Sequence, residues 1–340
     1  MPADGEAALL QAALAGDPHA FDQVIAPYRR DILLYGYRLL GSLQDAEDLT
    51  QEVCLRAWTR LGTFEGRASF RAWLYRIATN LGLDLLEQRP RRSLPHLRVP
   101  PASLADPQPP PSSEPRWLEP LPDTLLLDAE GEPETQAMRR ESVTLAFLVV
   151  MQALPARQRA ILLLRDVLDW SAREVAELLD LSITAVESAL QRARVTLRQR
   201  YHPRGSEAIA RSPIDPATED TLRRYIAAWE AADIAGLVAL LREDATLSMP
   251  PLPWWFQGRA TILAFFAPKW TGGAPSAWRL VPSAANAQPA YVAYRLVEPG
   301  LYRMDNISLL TVAAGRIAAI TSFLDPALFR RFNVPLEIDT

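Results

Sequence analysis

The 340-residue sequence has few of the residues that form disulfides and most metal sites. Its single cysteine, Cys54, excludes an internal disulfide and any cysteine-cluster zinc site. The three histidines, His19, His96 and His202, are scattered along the chain, so we expect neither a metal nor a cofactor. Lysine is as scarce as cysteine, because Lys269 is the one lysine among 36 basic residues, a bias that indicates nothing about mechanism.

The sequence also lacks the segments that carry a chain into or across a membrane. No apolar run approaches the ~18 residues of a membrane-spanning helix, since the longest, at 143–151 and 160–164, are far shorter. The N-terminal MPADGEAALL contains acids and no basic residue, unlike a secretory signal. Hydrophobic residues make up 49% and charged residues 22% of the chain, as in ordinary globular proteins. We therefore expect a cytoplasmic protein without a membrane partner.

Charge is distributed unevenly along the chain. The net charge of -4, taken as a whole, argues against a nucleic-acid partner. Two segments are nevertheless basic, 59–92 and 136–204, each with a net charge of +4, whereas 1–58 carries -5 and 93–135 carries -6. This alternation is typical of a protein that contacts phosphates locally and a basic protein elsewhere.

The chain divides into four stretches of different texture, in line with the two or three domains that its length predicts. Residues 6–92 have an almost continuous helical pattern with short breaks at glycines. Residues 93–135 are crowded with prolines and acids, and we expect an extended or disordered linker there. Helical periodicity returns over 136–204. In 218–335 an amphipathic helix is followed by strand-like runs, which predicts an α+β domain.

The stretch DAEDLTQEVCLRAW, residues 45–58, has the period of an amphipathic helix. Its apolar ridge consists of Leu49, Val53 and Ala57, and its acids lie three and four residues apart on the neighbouring ridge: Asp45, Asp48 and Glu52. A solvated outer face is the ordinary explanation of such a charge run. A docking helix for a basic partner is the alternative, and the residues alone leave both open.

Residues 59–92 combine a glycine-bounded loop with a helix rich in aromatic and basic residues. The apolar ridge of that helix contains Phe70, Leu74, Ile77, Leu81 and Leu85. Arg76, Asn80 and Asp84 form a separate polar ridge, and Arg71 adds charge. Aromatic and basic residues beside a mobile loop suit single-stranded DNA, although Trp73 and Tyr75 are better explained by packing.

Two helical patterns within 171–200 are separated by a short turn. Ser171, followed three residues later by Glu174, predicts a capping box at the start of the first helix. Ser182 can cap the second helix, whose outward positions carry polar and basic side chains: Thr184, Glu187, Ser188, Gln191, Arg192 and Arg194. This arrangement is typical of a helix-turn-helix, whose second helix lies in the major groove. Arginine can bind guanine there, glutamine adenine and glutamate cytosine. An ordinary helical hairpin with a basic surface has the same pattern.

Taken together, the two helical blocks resemble an alternative sigma factor of the extracytoplasmic-function group, the promoter-recognising subunit of bacterial RNA polymerase. The matching stretches are AFDQVIAPYRRDILLYGYRLLGSLQDAEDLTQEVCLRAW, FRAWLYRIATNLGLDLL and LPARQRAILLLRDVLDWSAREVAELLDLSITAVESALQRAR. They cover about 20–90 and 137–200 in the family's order. The resemblance implies two all-α domains, sigma region 2 at 6–92 and sigma region 4, the helix-turn-helix, at 136–204.

The resemblance also implies three binding surfaces. The helix at 45–58 would dock on a coiled coil in the largest subunit of core RNA polymerase, and the implied contacts are Asp45, Asp48, Gln51 and Glu52. Region 2 would melt the -10 element and read it as a single strand, with a flipped-out base received by the loop at 63–69. The contacts implied there are Phe64, Ser69, Arg71, Arg76, Asn80 and Asp84. Region 4 would read the -35 element of promoter DNA as duplex, through Ser182, Thr184, Glu187, Ser188, Gln191, Arg192 and Arg194.

Residues 218–335 resemble a SnoaL-like domain, the cone-shaped α+β fold shared with ketosteroid isomerases and polyketide cyclases. The likeness rests on RRYIAAWEAADIAGLVALLREDATLSMPPLPWWFQGRATILAFF and on the strands that close with SFLDPALFRRF. Enzymes of that fold use an Asp or His inside the cone, but this stretch has no histidine and its best acid is Asp305. We therefore expect a regulatory domain and no enzyme. A pocket for a small apolar ligand would be lined by Trp254, Trp255, Phe256 and Asp305, although core packing is the default for each aromatic.

Within the predicted linker, RWLEPLPD at 116–123 contains three residues that are costly to leave in water: Trp117, Leu118 and Leu121. One hypothesis is that this segment docks on the C-terminal domain and fixes how the two DNA-binding modules are placed. A spacer that is merely sticky is the alternative.

The leading interpretation is a sigma factor whose activity is modulated by its C-terminal domain. Two rivals remain on the residues alone. A stand-alone helix-turn-helix regulator would bind duplex promoter without polymerase. A SnoaL-type isomerase or cyclase fused to a DNA-binding module would show turnover that is lost on Asp305→Asn.

Overall fold

A computed structural model describes residues 3–89, 91–112, 117–126, 138–200, 216–271 and 277–339. The chain forms two compact units, each built from two separate stretches of sequence. The first unit contains 1–91 and 150–201, and the second contains 92–149 and 202–340. In the described part of the chain, no helix is both long and apolar enough to cross a membrane.

The N-terminal half of the first unit is helical, as its periodicity predicts. Its helices are α1 (Ala3–Leu14), α2 (Pro18–Leu40), α3 (Leu43–Thr59) and α4 (Phe70–Gln88). Side chains cap three of them: Asp17 accepts from the backbone of His19, Ser42 from Asp45, and Ser69 from Ala72. Such caps satisfy N–H groups that have no partner inside the helix, so the polar residues at these breaks define where each helix begins.

The apolar ridges of α2, α3 and α4 pack together. Leu49, Val53 and Ala57 of α3 are fully or almost fully buried, as their spacing predicts. Helices α2 and α4 approach closely at Gly82, where an added Cβ would overlap the side chain of Leu39. A glycine at this position therefore sets the distance between two helices of the core.

The other half of the first unit contains the end of α5 (Leu145–Ala153), α6 (Ala156–Leu162), α7 (Ala172–Leu179) and α8 (Ile183–Arg200). A π-helical turn, Leu163–Val167, continues α6. The predicted capping box is present, because Ser171 and Glu174 each accept a hydrogen bond from the other's backbone N–H. Asp180 ends α7 in the left-handed conformation, with φ of 53°.

A buried arginine joins the two halves of this unit. Arg159 of α6 is 1% exposed and donates hydrogen bonds to the backbone oxygens of Leu39, Gln152 and Leu154, at 2.6, 3.2 and 3.3 Å. A guanidinium group is costly to bury unless its N–H groups are satisfied. These carbonyl groups supply partners from both stretches of sequence.

The second unit is the α+β domain that the C-terminal sequence predicts. Its helices are α9 (Pro216–Glu230), α10 (Ile234–Leu240), α11 (Arg259–Thr271) and α12 (Pro326–Phe329). Its strands are β1 (Leu241–Ser248), β2 (Trp255–Gln257), β3 (Trp278–Ala285), β4 (Gln288–Glu298), β5 (Leu301–Ala313), β6 (Arg316–Phe323) and β7 (Glu337–Asp339).

In the described residues these strands form one sheet in the order β2-β1-β6-β5-β4-β3, with β7 also pairing with β5. Strands β1 and β6 are parallel, and the other pairs are antiparallel. Helices α9, α10 and α11 pack on the sheet over a core that includes Tyr225, Leu240, Phe256 and Ile320. Long strands with apolar residues facing these helices thus build a cone-like layer that can enclose a cavity.

The segment expected to be an extended or disordered linker is folded against this domain over its described residues, 92–112 and 117–126. Ser93 and Trp117 form a parallel β-bridge, and Pro122 forms an antiparallel bridge with Ala285 of β3. Short 3₁₀ turns occur at Pro95–Leu97 and Asp123–Leu125. Proline content predicts the lack of α-helix in this stretch, but it does not predict the burial of the apolar residues between the prolines.

Candidate nucleic-acid interface

The acidic ridge of α3 is divided between solvent and the interior of the unit. Asp48 and Gln51 are exposed, and Glu52 is half-buried with its carboxylate 2.7 Å from Arg56. Leu55, one helical turn beyond Gln51, is 57% exposed and lies on the same ridge. An exposed leucine among acidic and amide side chains gives this ridge both charge and apolar surface for a protein partner.

Asp45 differs from the rest of the ridge because it is only 7% exposed. Its carboxylate accepts a hydrogen bond from Arg89 Nη1 at 2.5 Å. Arg89 follows the last turn of α4, so this ion pair ties the start of α3 to the end of α4. Asp45 is therefore buried and paired within the unit, whereas Asp48 and Gln51 are accessible to a partner.

The loop at 63–69, before α4, is anchored by aromatic packing. The ring of Phe64 lies 5.7 Å from that of Phe70 and 5.4 Å from that of Trp73. The neighbouring loop residues are exposed, and Ser69 caps α4 through its hydroxyl oxygen. The structure thus fixes one end of the loop and leaves its polar side accessible.

This loop forms one wall of a cleft with a volume of 840 Å³. Trp73 and Arg76 of α4 line the cleft beside the loop, and Glu174, Glu177 and Leu178 of α7 line the opposite wall. Hydrogen bonds from the Ser171 hydroxyl and backbone hold the pKa of Glu174 below its ordinary value, so its carboxylate is ionised at neutral pH. The cleft has the size of a site for a base, but its α7 wall is negatively charged.

Two arginines of α4 contact residues from the other half of the unit. Arg71 Cζ lies 5.2 Å from the ring centre of Trp170 and 5.5 Å from that of Tyr75. Arg76 Nη2 lies 2.8 Å from Asp180 Oδ2, at the end of α7. Burial raises the pKa of Tyr75 to about 12, so its hydroxyl stays neutral beside Arg71. Asn80 and Asp84 continue the α4 ridge and are exposed.

Helix α8 has an open outer face. Its inward residues Val186, Leu190 and Ala193 are buried. Exposed side chains occupy the outward positions: Ser182, Thr184, Glu187, Ser188, Gln191, Arg192 and Arg194. Ser182 also caps the helix by accepting from the backbone N–H of Ala185. The exposed apolar Ile183 lies beside these residues, and an apolar side chain at such a position can contact a thymine methyl group.

Arg194 is the exception on this face because it forms an ion pair within the unit. Its Nε and Nη2 donate to the two carboxylate oxygens of Asp166, at 3.0 and 2.7 Å. These hydrogen bonds raise the pKa of Arg194. Bidentate pairing fixes the guanidinium plane, so Arg194 holds α8 against the π-helical turn while Arg192 remains exposed to solvent.

The second unit contains a cavity of 340 Å³, and two of the four predicted pocket residues line it, Trp254 and Asp305. The other two are packed elsewhere. Trp255 donates its indole N–H to the backbone oxygen of Val99 at 2.8 Å, and Phe256 is completely buried in the core. Because neighbours along a strand face opposite sides, adjacent aromatics cannot all line one cavity.

Sequence reasoning missed several residues that shape these surfaces. Asp166, Trp170 and Asp180 hold the arginines of α8 and α4, and no local pattern links them to residues so far away in sequence. Leu55 could have been found, because it continues the ridge of Asp48 and Gln51 by one helical turn.

Family models match three stretches of the chain: Sigma-70 region 2 over 24–92, Sigma-70 region 4 over 144–197 and a SnoaL-like domain over 222–320. These matches fall on the N-terminal helices, the helix-turn-helix and the α+β domain. They confirm the two helical regions and the C-terminal fold that the sequence predicts.

The chain is similar over most of its length to the ECF RNA polymerase sigma factor SigG of Mycobacterium tuberculosis. The two are 43% identical over 315 residues, which cover 91% of this chain and 82% of the relative. The ECF RNA polymerase sigma factor SigJ of the same organism is 32% identical over 220 residues, which cover 65% of this chain and 62% of the relative. The crystal structure of M. tuberculosis SigJ has a TM-score of 0.58 at 25% identity, and the match covers 92% of this chain and 99% of that one. These relatives are sigma factors and not enzymes.

Proposed function

The chain belongs to the extracytoplasmic-function RNA polymerase sigma factors, and from this premise we propose which of its surfaces contact polymerase and promoter. As a sigma factor it acts with core RNA polymerase on promoter DNA. The observation that carries the assignment of surfaces is the division between exposed and engaged side chains in the first unit. Side chains free of internal ion pairs are available to a partner at no cost in folding free energy.

The outer ridge of α3 is the proposed surface for the coiled coil of the largest polymerase subunit. Asp48, Gln51 and Leu55 are exposed on it, and Glu52 is half-buried beside Arg56. An acidic ridge with one exposed leucine suits a basic helical partner. Asp45 supports this surface from within, since its pair with Arg89 holds α3 against α4.

Promoter DNA is proposed to meet two surfaces. Helix α8 would enter the major groove of the -35 element, where Glu187, Gln191 and Arg192 offer an acceptor, an amide and a donor fork to base edges. The loop at 63–69 and the polar ridge of α4 would hold the -10 element as a single strand, with a base in the cleft beside Phe64 and Trp73.

In vitro transcription with bacterial core polymerase tests this assignment. Asp48→Arg in the full chain should lower promoter-directed transcription about tenfold or more, because a like charge would face the basic partner. Glu219→Arg, at an exposed acid of α9 in the other unit, is the matched control and should transcribe like the unchanged protein. If Asp48→Arg transcribes as well as Glu219→Arg and the unchanged protein, α3 is not the polymerase surface. Binding of duplex promoter without polymerase, together with no transcription, would favour the stand-alone regulator.

The C-terminal domain is proposed to modulate this activity through the segment that docks on it. Trp117 is buried and donates its indole N–H to the backbone oxygen of Ser112 at 3.0 Å. Leu118 and Leu121 are buried, and the backbone N–H of Leu121 donates to Asn286 Oδ1 at 2.9 Å. The buried Asn286 also donates its amide to the backbone oxygen of Val143 at 2.6 Å. The turn between β3 and β4, which contains Asn286, thus binds both Leu121 of the linker and Val143, which precedes α5.

Asp123 adds a contact to Ala287, the residue that follows Asn286 in the same turn. Its carboxylate accepts a hydrogen bond from the backbone N–H of Ala287 at 2.9 Å, while burial raises its pKa from the ordinary 3.8 to about 6. The docked carboxyl group therefore binds its proton more tightly than the free one. Protonation stabilises docking fully below pH ~3.8, and this contribution is lost as the pH rises through about 6.

Hydrogen exchange of the amides at 117–126 measures this docking directly. Trp117→Ala should speed exchange and alter transcription from the same promoter. Asp123→Asn should slow exchange at neutral pH, because the amide keeps an acceptor for Ala287 without the cost of burying a charge. If both variants exchange and transcribe like the unchanged protein, the segment does not carry the control.

A further inference from the structure

The cavity of the α+β domain has an aromatic wall and a polar mouth. Trp229, Phe266 and Trp278 line its inner part, and Trp229 meets the other two rings edge-on, with centroids 4.5 and 6.2 Å away. Its volume of 340 Å³ lies at the lower end of the range of small-molecule pockets, roughly 300 to 1,000 Å³. The walls therefore suit a small molecule with a flat or compact apolar body.

Lys269, the one lysine of the chain, lies at the mouth of this cavity. Its ammonium group is 5.1 Å from the ring centre of Phe265 and 5.8 Å from that of Trp278. Among the described residues no carboxylate lies within ion-pair distance of it. Asp305 lines the same cavity, but its carboxylate pairs with Arg295 at 3.3 Å and accepts from the amide of Asn306 at 3.1 Å. Loss of hydration lowers the pKa of Lys269, and the negative charge of the nearby Asp305 opposes this effect, as an anionic ligand would.

Trp254 supplies a second donor that has no acceptor. Its side chain is 9% exposed and lines the cavity, and its buried indole N–H has no hydrogen-bond partner among the described residues. The hydroxyl groups that line the cavity are already engaged: Tyr291 with Tyr225 at 3.4 Å and Ser322 with Ser308 at 2.6 Å. The cavity thus offers two donors, the Lys269 ammonium group and the Trp254 indole N–H, that have no acceptor among the described residues. A buried donor without a partner costs free energy that a ligand oxygen would recover.

We propose that this cavity binds a small, largely apolar organic anion, with the ammonium group of Lys269 and the indole N–H of Trp254 as its donors. The apolar body would pack against Trp229, Phe266 and Trp278, and the anionic oxygen atoms would lie toward the mouth. The site is distinct from the acid-base arrangement of the related isomerases, because Asp305 pairs with Arg295 and no second acid or histidine lines the cavity among the residues that the structure describes.

Gln108 connects the cavity to the first described stretch of the linker. It lies in 92–112 and lines the cavity, and nearby Ala102 donates its backbone N–H to the oxygen of Trp255 at 2.8 Å. A bound anion would therefore contact the stretch 92–112, which precedes the segment at 117–126 through which the C-terminal domain is proposed to act. That consequence rests on the proposed function, whereas binding itself does not.

Two fluorescent probes with nearly the same apolar body test the proposal on the full chain, without polymerase or DNA. The probes are 8-anilinonaphthalene-1-sulfonate, which is an anion, and N-phenyl-1-naphthylamine, which is neutral. The unchanged protein should bind the anion with one-to-one stoichiometry and about tenfold more tightly than the neutral probe.

Lys269→Met should remove this preference. It should lower the affinity for the anionic probe about tenfold and leave the affinity for the neutral probe unchanged, since hydrogen bonds to charged groups are the stronger ones. Trp254→Phe, which keeps an aromatic ring and removes the N–H, should lower the affinity for the anionic probe about threefold. Arg316→Met, at an exposed arginine of the β5–β6 turn, is the matched control and should bind both probes normally. Far-UV circular dichroism checks that each variant is folded.

Equal affinity for both probes, or anion binding that Lys269→Met and Trp254→Phe leave unchanged, would overturn the proposal. So would the lack of one-to-one binding by the unchanged protein. Because the assay contains neither polymerase nor promoter, its failure would not affect the assignment of the sigma surfaces, and loss of transcription in Asp48→Arg would not affect the cavity.

Discussion

Helices α8 and α4 carry the two proposed DNA-binding surfaces, and they differ in what their polar residues contact. On α8, Glu187, Gln191 and Arg192 are exposed, and only the neighbouring Arg194 is held, by Asp166. On α4, Arg71 packs on Trp170 and Arg76 pairs with Asp180. The proposed surface for the -35 element is therefore open, whereas the proposed surface for the -10 element is partly covered by the other half of its own unit.

The difference has an electrostatic side. Glu174 and Glu177 face the loop at 63–69 across the cleft, and a DNA strand that enters there would bring phosphates toward two carboxylates. Repulsion between like charges at short range disfavours such an approach. If the -10 element binds in this cleft as proposed, we expect α7 to move away from α4, whereas the proposed -35 surface needs no such change.

Trp170→Ala should have the largest effect, because it removes the ring against which Arg71 and Tyr75 pack. Trp170 is 4% exposed, and replacing a buried tryptophan by alanine costs about 3 kcal/mol or more. Urea denaturation of the full chain, followed by far-UV circular dichroism, should show the helical unit unfolding at lower urea. Trp170→Phe should shift the unfolding transition to lower urea by much less. An unchanged transition in Trp170→Ala would mean that this contact does not tie α4 to the second half.

Arg192→Ala and Arg194→Ala sharpen the contrast within α8. Loss of a base contact costs about 1 to 3 kcal/mol, so Arg192→Ala should weaken promoter binding by the holoenzyme about tenfold. It should also relax selectivity at one -35 position. Arg194→Ala should leave base selectivity unchanged and lower the stability of the unit slightly, since its partner is Asp166. Binding titrations with promoters that differ at single -35 positions measure both effects, and the opposite ranking would reverse the two roles.

Asp180→Asn should have the smallest effect, because the Arg76–Asp180 pair is exposed and contributes under ~1 kcal/mol to stability. Asparagine also tolerates the left-handed conformation of this residue. Freeing Arg76 should increase the rate of promoter opening about twofold, by favouring release of the α4 surface. Asp169→Asn is the matched control, since Asp169 is exposed and has the same backbone conformation, with φ of 55°. A gain in both variants would point to net charge and not to the pair.

Much of the first unit could be predicted from local spacing. The ridge of Leu49, Val53 and Ala57 identified the buried face of α3, and Ser171 with Glu174 identified the start of α7. These predictions succeeded because helix period and capping act over three or four residues. Composition predicted the lack of helix in the linker, but it cannot reveal the surface on which Trp117 and Leu121 pack.

The candidate sites were predicted less completely, since the same residue type can be exposed or engaged. Asp45 and Asp48 are one helical turn apart on one ridge, yet Arg89, 44 residues from Asp45, withdraws only the first from the surface. Trp254 and Trp255 are adjacent, yet only Trp254 lines the cavity. In both cases a residue distant in sequence or the direction of a strand made the difference.

The sequence by itself determined the order of the regions, the helical and α+β classes, and the residue types offered to polymerase and DNA, because periodicity, capping and composition are local properties. Only the tertiary structure decided which side chains are free. It placed Asp166 and Asp180 beside arginines of other helices and folded the described part of the proline-rich segment onto the C-terminal domain. Within the described residues it also left Lys269 and the Trp254 indole without acceptors. Ion pairs and cavities depend on contacts between residues far apart in the chain, which no local pattern specifies.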